Sequence, residues 1–351
     1  MKTFLNLTLT AIVAFTSALA CTAASFTPGN LAILRIGDGV NPLANSLGAV
    51  SILEVATSGG VVQTFAIDSS TNGNGINISG SATSEGQLVT DTSKTALSFG
   101  GYWILGGSGS LSSRSSADAP RVWGKLAYDG TYTAGGTATF YNVGSAKNIR
   151  AVALNGANVY GTFSASLNLG TTQITNVNSR GLLIHDDKLY YSTGSGAVGT
   201  YAYTGFPTVP TAAAQMIINP SAVFDPYDFA ISPGPLANGS FIYIANGNKN
   251  GVQRWNFDGA AWTLANNFTN AAESVYGIAV NFSAPQPVVY AAAPNALYMV
   301  VDAGSNATMT SILSAGATYA FRGLDWAPIP VPEPALVSAA GLAVLAFLRK
   351  R

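Results

Sequence analysis

One short motif returns five times along this chain. It is a polar or aromatic residue, usually followed by a small one, that opens an apolar run. The copies are Asn148–Leu154, Asn178–Ile184, Pro226–Ile231, Ser274–Val280 and Phe321–Trp326. Their key positions, Arg150, Arg180, Tyr227, Tyr276 and Arg322, lie 30, 47, 49 and 46 residues apart. A weaker sixth copy, Glu85–Val89, precedes them, with Glu85 as its matching residue. A second, Tyr-rich apolar run follows most copies, as at Lys188–Tyr191 and Phe241–Ile244. A third run and, in places, a fourth follow, as at Gly251–Trp255 and Ala261–Leu264. The runs are rich in Val, Ile, Tyr, Phe and Thr and are separated by Gly, Asn, Asp and Ser, which is the pattern of short strands and turns. Four strands per unit of about 45 residues is the period of a β-propeller blade.

The ends of the body complete the pattern. Phe321–Trp326 is a first strand with no others after it, while Asn30–Ile36, Ala49–Val55 and Val61–Ile67 are strands with no first one before them. Pairing them predicts a blade built from both ends of the body, which removes an open sheet edge. The expected fold is all-β: a propeller of about six four-stranded blades over residues 25–328, with room for a seventh between Glu85 and Tyr141. A pair of β-sandwiches is the alternative. A membrane barrel needs alternating strands of about 9–11 residues, longer than these runs.

Composition narrows the partners. Charged residues make up 9% of the chain and the formal net charge is zero, against about 25% charged in ordinary soluble domains. With no basic field to neutralise phosphates, nucleic acid is not an expected partner. The single cysteine, Cys21, allows neither an internal disulfide nor a cysteine metal site.

Both termini read as sorting segments. Met1-Lys2, an uncharged apolar stretch to Ala20 and the small-x-small Ala18-Leu19-Ala20 form a signal peptide for signal peptidase within residues 1–24. A lipoprotein signal would place Leu where Ala18 stands before Cys21. At the other end, Val331-Pro332-Glu333-Pro334 leads into an apolar run, Ala335–Leu348, and then Arg349-Lys350-Arg351. As a helix, residues 335–348 would span ~21 Å, short of a bilayer core, and the basic tail would stay cytoplasmic. The order Pro332-Glu333-Pro334, apolar transmembrane run and terminal Arg349, Lys350 and Arg351 resembles the PEP-CTERM sorting signal of exosortase-processed bacterial proteins. The resemblance covers only residues 329–351. It implies export, transient anchoring in the inner membrane, processing by an exosortase, and release to the cell surface or extracellular matrix.

Few residues suggest chemistry. His185-Asp186-Asp187 sits between two strands and reads as a hairpin turn rather than a catalytic or metal set. Gly37-Asp38-Gly39 and Asn246–Gly251 also read as turns, having too few carboxylates for calcium. No metal set, cofactor motif or nucleophile signature occurs. The recurring Arg150, Arg180, Tyr227, Tyr276 and Arg322 would ring one mouth of the central channel, where they either grip an acidic polysaccharide or simply close the channel. Two functions follow: a non-enzymatic surface or matrix protein that binds polysaccharide, or a secreted hydrolase or lyase acting on glycans. The second would draw its acid and base from Glu85, Asp228, Asp325 and His185. Whether these carboxyls or His185 meet in the central pocket decides between the two.

Overall fold

The computed structural model describes residues 24–69, 75–104, 109–135, 147–210, 213–218, 225–248, 251–269 and 273–331. The expected export signal, apart from residue 24, and the expected sorting segment from Pro332 onward lie outside the described residues. Among the described residues, no helix is long and apolar enough to cross a membrane.

Among the described residues the strands form six four-stranded antiparallel blades, with Ala307–Thr308 added in parallel to the edge of the fourth and Leu47–Gly48 paired with Ile78–Ser79 outside them. Blade 1 runs Val89–Thr90, Ala96–Tyr102, Arg121–Ala127 and Tyr132–Gly135, so the stretch with room for a seventh blade holds the first. Blade 2 is Ile149–Asn155, Asn158–Phe163, Ser166–Leu169 and Thr172–Thr175. Blade 3 is Ser179–His185, Lys188–Thr193, Gly199–Ala202 and Gln215–Ile218. Blade 4 is Pro226–Ile231, Phe241–Asn246, Val252–Phe257 and Trp262–Thr269. Blade 5 is Gly277–Asn281, Val288–Ala292, Ala296–Val301 and Thr310–Ser314. Blade 6 joins the two ends of the body: Ala320–Trp326 pairs with Leu31–Ile36, followed by Val50–Val55 and Val61–Ala66.

The repeated motif has a local cause. In blades 2, 3, 4 and 6 the inner strand slips register across the key residue and the one after it, leaving both in a bulge. A bulge re-aims a side chain at the cost of one ladder pairing. The residue after the key position is glycine in blades 3, 5 and 6 because the neighbouring inner strand passes against it. A Cβ on Gly323 would lie 2.2 Å from the Leu88 nitrogen, and one on Gly277 would lie 2.6 Å from the Leu324 nitrogen. Apolar clusters fill the spaces between blades. One joins Tyr160, Leu167 and Leu189 of blades 2 and 3, and another joins Tyr243, Phe268 and Val289 of blades 4 and 5.

Candidate functional site at the two ends of the channel

The inner strands surround a central channel whose two ends differ. At the end where these strands begin, the predicted ring assembles and its guanidiniums are largely engaged, with Nε of Arg150 and of Arg180 left without a hydrogen bond. Arg322 is buried and donates to the carbonyls of Gly80 at 2.9 Å and Phe321 at 3.0 Å. Arg150 donates to the Ser179 carbonyl at 2.7 Å and to the Asn178 side chain. Burial, with Arg180 nearby, pulls the Arg150 guanidinium down to about 10. Arg180 pairs with Asp225 at 2.6 Å and lies 4.1 Å above the Tyr227 ring. Tyr227 in turn meets Tyr276 edge-on, with ring centroids 4.6 Å apart.

Glu85 is not the sixth ring residue. The Gly323 nitrogen bonds the Gly86 carbonyl and the Gln87 nitrogen bonds the Arg150 carbonyl, so Gly86 occupies the equivalent place. Glu85 points instead into the core and accepts from Tyr102 Oη at 2.6 Å, Asn148 Nδ2 at 2.7 Å and the Ser79 nitrogen at 3.1 Å. Burial raises its carboxyl above the ordinary range, against the pull of those donors. Gln87 braces the channel by donating from Nε2 to the Tyr276 carbonyl, two blades away, at 2.6 Å.

At the other end the channel widens into a cleft of about 630 Å³. Phe282 and Trp326, both half-buried, contribute aromatic surface, and Thr90, Asp228 and Asp325 bring polar groups. Each carboxylate ties its strand to the next blade. Asp228 accepts from the Phe229 nitrogen at 2.8 Å and from the Ile278 nitrogen at 2.9 Å. Asp325 accepts from the Trp326 nitrogen at 2.7 Å and from Thr90, through its nitrogen at 2.8 Å and its hydroxyl at 2.6 Å. Burial raises both carboxyls, Asp228 far above the ordinary range and further through the charge of Asp325.

His185 stands on the rim. Asp186 and Asp187 have φ of 48° and 54°, forming the left-handed two-residue turn of a tight hairpin. The turn sends His185 Nε2 to the Gly234 carbonyl of blade 4, 3.0 Å away. Asp91, Asp186, Asp187, Asp228 and Asp325 all line the cleft, five of the chain's 16 acidic residues, with Lys94 opposing them. Among the described residues, no group of three or more His, Cys, Asp or Glu side chains is placed to hold a metal ion.

The repeat led to the beginnings of the inner strands, whereas the open cleft lies at their ends. Asp228, Asp325 and His185 were legible as the few candidate acids and bases. Thr90, Lys94, Phe282 and Trp326 join them in the cleft with no chemical motif in the sequence to mark them. The available signal was position, since most of them follow the motif within or just beyond the same inner strands.

No family model matches the chain, and no curated protein does. Among solved structures, a candidate 6-phosphogluconolactonase of Bacteroides uniformis aligns at 15% identity with a TM-score of 0.47, covering 86% of this chain and 84% of that one. TolB of Acinetobacter baumannii aligns at 10% identity and 0.46, covering 86% and 67%. Trypanosoma rangeli sialidase aligns at 10% and 0.45, covering 86% of this chain and 54% of the sialidase. Similarity this low carries no argument about activity, and the blade count rests on the chain's own strand pairing.

Proposed function

We propose that this chain is an exported surface or matrix propeller that binds neutral or amine-bearing polysaccharide in the acid-lined cleft, without turning it over. The observation that carries the reading is the asymmetry of the channel: one end is plugged by engaged arginines, the other is an open hollow with aromatic walls and acidic lining. Aromatic faces suit the apolar faces of sugar rings, and fixed carboxyls accept from hydroxyl or ammonium groups. An excess of acidic residues in one hollow disfavours a uronate there. A hydrolase would need a carboxyl free to pass a proton. Here both oxygens of Asp228 and of Asp325 already receive main-chain N–H groups, and these bonds tie blades together. Export rests on the signal peptide within residues 1–24 and on the resemblance of residues 329–351 to a PEP-CTERM signal, which implies signal peptidase, exosortase and a transient membrane stay.

The test is calorimetric titration with cello-oligosaccharides, chitosan oligomers and oligogalacturonate, with reducing ends assayed in parallel. Binding of either of the first two series, weaker binding of oligogalacturonate and no new reducing ends are expected. Release of reducing ends would replace this reading with the hydrolase one. Intact-mass measurement of surface material should find a chain lacking Met1–Ala20 and ending near Pro334, and a chain still ending in Arg351 would overturn the processing.

A further inference from the structure

The hairpin that carries His185 also borders a second hollow. This groove, about 430 Å³, lies between blades 3 and 4 and is lined in part by Lys188, Thr204, Gln215, Phe257 and Trp262. The same two segments separate it from the cleft. The hairpin turn gives Asp186 and Asp187 to the cleft and Lys188 to the groove, while the loop after Ile231 gives Pro233 and Gly234 to the cleft and Leu236 to the groove. The ridge between the hollows is therefore one turn resting on one loop, joined by the 3.0 Å contact from His185 to Gly234. Lys188 Nζ approaches Asp186 at 3.5 Å, linking the groove wall to the cleft rim.

The groove's lining has its own logic. Phe257 and Trp262 face each other across a strand pair and stack with ring centroids 4.9 Å apart, inclined by 26°. Both are only half-buried, and the polar Thr204 and Gln215 nearby are exposed. Buried aromatic pairs need no polar surround, whereas a partly open pair beside an amide, a hydroxyl and an ammonium is a stacking platform with hydrogen-bonding groups around it.

We propose that the groove continues the cleft, so that the protein holds an internal stretch of a polysaccharide chain, with Phe257 and Trp262 as the far platform. This rests on the reading of the cleft as a glycan site. A ligand confined to the cleft would gain nothing from the groove. A strand crossing the His185–Gly234 ridge engages both hollows, and the second contact is made at high effective concentration.

The experiment titrates cello-oligosaccharides and chitosan oligomers, from the disaccharide upward, into the wild type and two variants. Trp262→Ala removes the platform. Ala260→Trp fills the groove from an exposed position without altering the stacked pair, and it decides the matter alone if Trp262→Ala folds poorly. Wild-type affinity is expected to climb about tenfold from short to long oligomers. Both variants should bind the short oligomers as the wild type does and lose the climb. The same climb in Ala260→Trp, or none in the wild type, overturns the extended site while leaving the cleft reading in place. Failure of every oligomer to bind the wild type overturns both.

Discussion

The two ends of this channel are drawn from one ring of inner strands and behave in opposite ways. Where the strands begin, long basic and aromatic side chains turn inward and close the opening. Where they finish, short carboxylates hold the strands by their backbones and leave space between them. Arginine is expensive to bury without partners, and the plugged end supplies main-chain carbonyls from Gly80, Phe321 and Ser179. Aspartate is compact and accepts N–H groups, so it can brace neighbouring strands without filling the channel. One charge type became a plug and the other a frame around a hollow.

The contrast breaks most sharply at Arg322. Arg322→Ala leaves buried carbonyls unanswered and a hole the size of a long side chain, and should cost about 4 kcal/mol or prevent folding. Urea denaturation measures this, and a loss below about 1 kcal/mol would mean the plug is not structural.

At the open end the expected effect is smaller and depends on pH. Burial makes Asp228 hold its proton more tightly in the folded chain than in the unfolded one. Folding therefore takes up protons above the ordinary aspartate range, about pH 4, and the group's contribution to stability falls as pH rises toward its folded value. Asp228→Asn loses that dependence, whatever fixed cost it carries from meeting the Ile278 N–H with an amide. The melting temperature of the variant relative to the wild type should rise between about pH 4 and 7. A constant difference across that range would show that Asp228 is ionised as freely in the folded protein as outside it.

The smallest effect is expected at Arg180. Its ion pair with Asp225 is partly exposed, at 13% and 18% of the side-chain surfaces, and its stacking on Tyr227 is a single cation–π contact. Arg180→Ala should cost about 1 kcal/mol and leave oligosaccharide titrations unchanged. Weakened binding in a folded Arg180→Ala protein would move the ligand site to the arginine end.

Much of the architecture could be read from the residues. Blade count and the joining of Phe321–Trp326 to Leu31–Ile36 followed from periodicity, because strand-and-turn patterning is local and each blade repeats it. The Asp186-Asp187 turn was legible because two aspartates between strands tolerate the left-handed backbone. The Glu85 match failed by one residue, since the first blade lacks a large side chain at the ring position and only strand contact reveals that Gly86 sits there.

The repeat, the closure between its ends and the few acids and bases available are written in the order of the residues. Which end of the channel is open, and what each charge does there, is set by packing between distant segments. The partners that settle it are remote in sequence: Arg322 is held by the Gly80 carbonyl, Asp228 by the Ile278 nitrogen and Asp325 by Thr90. Strand patterning is governed by neighbours in sequence, whereas the state of a buried charge is governed by whichever groups long-range packing brings to it.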